Sequence, residues 1–208
     1  MGAKRKGLYD VHPSVAYAQA VLDNLPERTG RSLAQWTKLV VAEGPAGTAR
    51  RLDWLKRVHA LGGTTASLIV AAAEGRGAED TDPAAYLRAA PRYVEAMYAG
   101  GKAGLRPLHD ALVALGRGLG KEVRLCPCET ILPFYRNHVF AQIKPSTRTR
   151  IDFGLALKGA PGKLPSRLLP TGGLAKGDRI THRIAVSSPD DLDAGLRHWL
   201  RVAFDLDA

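Results

Sequence analysis

Long apolar runs are missing from this 208-residue chain: the longest, Leu68 to Ala73, falls far short of the ~18 residues that a membrane-spanning helix needs. No membrane association is expected. Cysteine is nearly absent too, since Cys126 and Cys128 in LCPCET are the only two. A tetrahedral zinc site takes four ligands and no second cysteine pair exists, so neither a metal nor another cofactor is expected, and the two thiols read as a structural pair. Aromatic residues make up only 6%, which argues against a stacking platform for single strands. The common catalytic signatures are missing as well: there is no GxxxxGK[ST], no GxGxxG between a strand and a helix, no HExxH and no GxSxG. The string Gly116, Gly118, Gly120 precedes a strand, the wrong order for dinucleotide binding, and reads as a helix terminus. These absences leave open whether the chain is an enzyme. Lys4, Arg5 and Lys6 run into Tyr9, Asp10, His12 and Pro13 instead of an apolar segment, and Lys6 stands where a myristoylation signal after Gly2 wants Ser or Thr. The expected location is cytoplasmic.

Acidic residues are scarce where it matters. The chain has 30 Lys or Arg against 20 Asp or Glu, a formal net charge of +10. Residues 117–183 hold 13 basic side chains against Glu122, Glu129, Asp152 and Asp178, net +9, whereas residues 1–116 carry +4 and residues 184–208 carry −3. A field of that sign draws in nucleic acid or another polyanion without choosing between them.

Hydrophobic residues make up 45% and charged residues 24%, an ordinary globular balance. The first 120 residues punctuate as short helices. Pro13 suits a first helical position, with Val15, Ala18, Val21, Leu22 and Leu25 following until Pro26. Ser32 and Gln35 have the capping-box spacing, and Gly44 with Pro45 ends that run. Thr48 is the expected cap of a third helix reaching Leu61, stopped by Gly62 and Gly63, and Thr64 or Thr65 opens a fourth. Gly75 to Asp82 reads as a linker, and Pro91 is expected to break or restart the helix that begins after Asp82. After Lys121 the period changes to two: Val139, Ala141 and Ile143 alternate with Phe140, Gln142 and Lys144, and Ile151, Phe153, Leu155 and Leu157 with their neighbours. Ile180, Ile184 and Val186 make a further strand, and Ser188, Pro189 and Asp191 open a terminal helix. The expected fold is α+β: an N-terminal helical domain over 13–75, a linker and connector over 76–91, and a C-terminal antiparallel sheet packed by helices over 92–208.

Thr29 to Gly75, with TGRSLAQW, WLKRVHALGG and ASLIV, resembles the small helical N-terminal domain of an uncharacterised bacterial two-domain family. GLGKEVRLCPCETILPFYRNHVFAQIKP, TRIDFGLAL, GDRITHRI and SSPDDLDAGLRHWLRVAF resemble its C-terminal domain, labelled in places as a predicted transport-protein domain. The resemblance implies two domains of unknown function and supplies no catalytic residues. The transport label conflicts with the missing membrane span.

Two arrangements carry candidate chemistry. Arg136, His138, Lys144, Arg150, His182 and Arg183 belong to the basic region, and converging on a carboxylate or phosphate they would make a ligand site, because Arg grips such groups in a bidentate fork. Edge cations that discourage sheet aggregation are the bland alternative. The helices around Gly62 and Gly63 have the outline of a helix-turn-helix, but Ala66 to Ala73 offers base edges only Ser67 and reads as core. Trp36 and Trp54 read as core aromatics before interface anchors. Asp152 with Glu129 fits no metal-nuclease spacing rule. The leading expectation is a non-enzymatic binding module whose basic C-terminal domain meets an anionic partner such as nucleic acid; the alternative is an enzyme or small-anion site around Arg136, His138 and His182. Oligomeric state has no signal in the sequence.

Overall fold

The structure, a computed structural model, describes residues 7–208; Gly2 and the basic residues Lys4, Arg5 and Lys6 lie outside them. Two compact units divide the chain, Val11–Ala89 and Ala90–Ala208, the latter joined by the segment that ends at Asp10. No helix among the described residues is long and apolar enough to cross a membrane.

The first unit is helical: α1 (Pro13–Asp23), α2 (Leu25–Thr29), α3 (Leu33–Glu43), α4 (Thr48–Val58), α5 (Gly63–Ala73), α6 (Ala78–Thr81) and the start of α7 (Pro83–Met97). The capping box forms, with the Gln35 amide donating to Ser32 Oγ and the Ser32 amide to Gln35 Oε1 at 2.8 Å. Leu25, Trp36, Val40, Leu55, Leu61, Ala66, Ile69 and Val70 make the core. Buried Trp36 and half-buried Trp54 both belong to that packing, and the buried stripe of α5 confirms its core role.

Four expectations need correction here. The cap of α4 is Gly47 at φ +94°, not Thr48, whose hydroxyl donates to Glu74 instead. Helix α4 ends at Val58, not Leu61, because Ala60 adopts φ +55° and the Leu61 amide turns back onto the Leu55 carbonyl. Gly75 to Asp82, read as a linker, holds the short helix α6, while the helix expected after Asp82 is present as α7, with Ala85, Tyr86 and Ala89 buried. Pro91 does not break α7. Pro91 and Leu87 both lie on its exposed side, so the ring costs the helix one hydrogen bond where the surface is open to solvent.

The second unit is the α+β layer. A 3₁₀ turn (Gly100–Leu105) and α8 (Arg106–Arg117) precede β1 (Arg124–Leu125), β2 (Leu132–Tyr135), β3 (Val139–Pro145), β4 (Ile151–Leu155), β5 (Leu169–Pro170), α9 (Gly173–Lys176), β6 (His182–Val186), a second 3₁₀ turn (Pro189–Asp191) and α10 (Ala194–Asp205). The sheet is antiparallel throughout, in the order β1-β2-β3-β4-β6-β5. Leu132, Ile143, Phe153 and Ile184 stand in one register row and, with Phe134, Ala141, Leu155 and Val186, are buried in one cluster with Leu112 of α8 and Leu196, Leu200 and Phe204 of α10. Alternation leaves Gln142, Lys144, Asp152 and Arg183 on the opposite face.

The strict alternation expected for β3 fails at one place. The register shifts beside Phe134, which pairs with Ala141 while Tyr135 pairs with Val139, leaving Phe140 as the extra residue of a β-bulge. Phe140 is thereby turned inward, 5.4 Å from the Phe204 ring and fully buried. Helix α8 approaches the sheet at Gly116, where a Cβ would stand 2.1 Å from Phe134 Cε2. The terminal helix also starts later than expected. Asp191 Oδ2 accepts from the Ser187 and Ser188 amides to close the second 3₁₀ turn, and Asp193 then caps α10 through the Leu196 amide.

Candidate functional site

Lys144, Arg150 and Arg183 come together around a single carboxylate on the sheet face away from the helices. Lys144 is the cross-strand partner of Asp152, Arg183 Nη1 donates to Asp152 Oδ1 at 2.8 Å, and Arg150 Nε approaches the same oxygen at 3.0 Å without forming a hydrogen bond. Three cations share one anion, so this patch keeps a positive excess.

Lys144 also lines a neighbouring cleft of about 530 Å³, with Lys102, Glu129, Thr130, Ser146 and Arg148. The Lys102 amine donates to the Pro145 carbonyl at 2.6 Å, which fixes the 3₁₀ turn against the β3–β4 connection. The Arg148 side chain lies across Gly101, where a Cβ would meet Arg148 Cδ at 3.1 Å. Lys102, Lys144 and Arg148 form no ion pair among the described residues. Together with Arg150 and Arg183 they make five cations against Glu129 and Asp152. Lys102 had no distinguishing signal in the sequence; Arg148 stood between two candidates and was visible only as part of the basic region.

Arg136 and His138 lie elsewhere, in the β2–β3 connection at the C-terminal end of α10. Arg136 Nη1 donates to the Phe204 carbonyl at 3.2 Å and its guanidinium stacks 4.4 Å over the Phe204 ring. A cation at a helix C-terminus meets the negative end of the dipole. His138 faces Asp207: its amide donates to Oδ2 at 2.7 Å and its Nδ1 lies 3.1 Å from Oδ1, while Arg179 Nη2 donates to Oδ1 at 2.6 Å and Asn137 Nδ2 to the Asp207 carbonyl. The Asp207 side chain is 2% exposed. The oxyanion expected beside Arg136 and His138 is thus a carboxylate of the chain itself. His182 is apart from both groups: it pairs with Leu155 and Pro170 in the sheet, its Nδ1 is 2.9 Å from the Thr181 hydroxyl, and no hydrogen bond or ion pair joins it to Arg136 or His138. A single pocket built on all six candidates is not what the fold assembles.

The two cysteines sit where the β1–β2 pairing becomes irregular. The Cys126 amide donates to the Pro133 carbonyl and the Cys128 amide to that of Ile131. Burial pushes both thiols up, Cys126 to about 12, so they stay protonated and weakly nucleophilic at neutral pH.

Two family models match the chain in order. One, described as domain of unknown function DUF4287, matches residues 17–75, and one described as domain of unknown function DUF5655 matches residues 94–207, more than half of the chain. The expected pairing of two uncharacterised domains is therefore present. No curated protein and no solved structure matches.

Proposed function

The chain belongs to the family described as domain of unknown function DUF5655, and within it we propose a non-enzymatic binding role in which the C-terminal unit engages the phosphate backbone of duplex nucleic acid. The observation that supports this most is the group Lys102, Lys144 and Arg148 around the cleft, three cations without ion pairs, continuous through Lys144 with the Asp152 patch. Phosphate contacts position a protein on nucleic acid and need no enclosed pocket, only cations spread over an open surface. The scarcity of aromatic side chains favours a duplex over a stacked single strand. The small-anion reading around Arg136, His138 and His182 lacks comparable support, because Asp207 already occupies the acceptor position beside His138.

The test is fluorescence anisotropy of a labelled mixed-sequence duplex titrated with the full chain at several salt concentrations. Binding should weaken steeply with salt, and the Lys144→Ala/Arg148→Ala double variant should flatten the log–log slope by about 2, one counterion for each lost phosphate contact. Absence of binding at low salt, or a slope untouched by the double substitution, would refute the proposal.

A further inference from the structure

The helical unit holds a second cavity, about 470 Å³, ringed by Arg28, Thr29, Arg31, His59, Gly62 and Thr65, with Trp36 and Leu61 as its apolar wall. It shares no residue with the basic cleft.

Its cations are held on a fixed frame. Arg28 and Arg31 flank the end of α2, where Gly30 takes the left-handed conformation at φ +72° and closes the helix onto the Pro26 carbonyl. The Thr29 hydroxyl between them donates to the Leu25 carbonyl at 2.7 Å and accepts from Trp36 Nε1 at 2.9 Å. The Arg31 guanidinium stacks 5.0 Å over the Trp36 ring. Neither arginine forms an ion pair among the described residues, so both charges remain available at the cavity mouth.

Polar groups around the same cavity also lack partners. His59 is wedged edge-on between Trp36, at 5.2 Å, and Trp54, at 4.6 Å, and its Nε2 is shielded from solvent with no hydrogen-bond partner. A shielded ring nitrogen left unmatched is uncommon and costly, and His59 itself lines the cavity. The next residue, Ala60, holds the left-handed conformation that alanine seldom adopts and also lines the cavity. Helix α5 then begins at the cavity with no side-chain cap: the first intrahelical bond is from the Ala66 amide to the Gly62 carbonyl, and the amides of Gly63, Thr64 and Thr65 donate to no acceptor among the described residues. Gly62 needs neither a positive φ nor a close approach, since a Cβ there would meet nothing within 4 Å.

From these features we propose that the cavity binds a small phosphomonoester. Two guanidinium forks and the start of α5, which meets the cavity at Gly62 and Thr65, offer more donors than the two oxygens of a carboxylate can use, whereas the three terminal oxygens of a phosphomonoester can accept from them. The phosphoryl group lies at the Arg28, Arg31 and α5 amide end, and the cavity leaves room for the organic part of the ligand beside Trp36 and Leu61.

The test is a ¹H–¹⁵N NMR titration of the full chain with inorganic phosphate, with glycerol 3-phosphate and with acetate. Both phosphates should give saturable shifts at the Gly63, Thr64 and Thr65 amides, and acetate should bind about tenfold more weakly. The Arg28→Gln/Arg31→Gln variant should stay folded, losing only the Arg31 stack over Trp36, and lose about tenfold or more in phosphate affinity. Shifts confined to residues 102–148, acetate binding as tight as phosphate, or an unchanged affinity in the double variant would each overturn the assignment. Duplex binding by that variant should equal that of the parent chain, so failure here and failure of the nucleic-acid reading are distinguishable.

Discussion

Replacing Asp207 by alanine removes the one carboxylate that holds the end of α10 to the β2–β3 connection, and the geometry gives the size of the effect. Three donors lose their acceptor: the His138 amide at 2.7 Å, Arg179 Nη2 at 2.6 Å and the His138 ring at 3.1 Å. Breaking a fully buried pair costs about 3–5 kcal/mol, because the orphaned charge cannot reach water. Here the Arg179 and His138 side chains are 44% and 63% exposed, so water solvates them once the carboxylate is gone. What remains is a charge-assisted bond from a partly buried amide and the release of the α10 terminus, about 2 kcal/mol in all. Urea unfolding followed by circular dichroism should show that loss. Because Asp207→Ala leaves the Arg179 guanidinium and the His138 amide facing an empty acceptor position, millimolar phosphate should recover part of the stability in the variant and much less in the parent chain, by the mass-action rule for a ligand that binds only the folded state. Equal stability of variant and parent, or an identical response of both to phosphate, would show that Asp207 does not fill an anion site.

Gly116→Ala should destabilise the C-terminal unit by about 2 kcal/mol in urea, since the ~1 kcal/mol gain in helix propensity is outweighed by overpacking. The added methyl would stand 2.1 Å from Phe134 Cε2, and that ring is fully buried, edge-on to Phe140 and Phe153; a rise in stability would refute the close approach. His109 supplies a pH dependence. Burial lowers its pKa from 6.5 to about 4, so the folded chain holds it neutral, 3.0 Å from the Tyr98 hydroxyl, while the unfolded chain protonates it below pH 6.5. Its contribution is intact above pH 6.5, declines by roughly 3 kcal/mol between pH 6.5 and pH 4 and is constant below that. Thermal melts across that range should show a decline that His109→Gln reduces, and an equal slope in both proteins would contradict this role.

What the sequence disclosed, and what it hid, follows from the range of the interactions. The Ser32–Gln35 capping box, the start of α7 after Asp82 and the alternation of β4 are local, set by residues a few positions apart, and all are present. The end of α4 was misplaced by three residues, because it depends on Leu61 folding back into the core and pulling Ala60 into a positive φ. The bulge at Phe140 was likewise invisible. Alternation alone assigns Phe140 to the face opposite Ala141, whereas the bulge turns it inward against Phe134 and against Phe204 of α10, some sixty residues later. Pro91 was overweighted, since a proline whose missing amide faces water costs a helix one bond and not its continuity.

The same distinction governs the charges, where counting supplied the total and pairing decides which part of it can act. Of the six candidates, Arg136 and His138 are engaged at the far end of the chain, by Phe204 and Asp207. Arg150 and Arg183 share Asp152 across β4 and β6, and Lys144 stands opposite that carboxylate without an ion pair of its own. Register places Lys144 opposite Asp152, but that carboxylate is already shared by Arg150 and Arg183, so Lys144 is left without an ion pair. Residues in connections have no imposed neighbour. Lys102 and Arg148, and Arg28 and Arg31 in the helical unit, all stand in turns or at helix ends beside a glycine or a cavity, and none has a carboxylate partner. The cations left open to a partner are therefore those with no carboxylate in reach or, like Lys144, with one that other cations already share, whereas Arg136, Arg150 and Arg179, which also stand in connections, are answered by carboxylates of the chain itself.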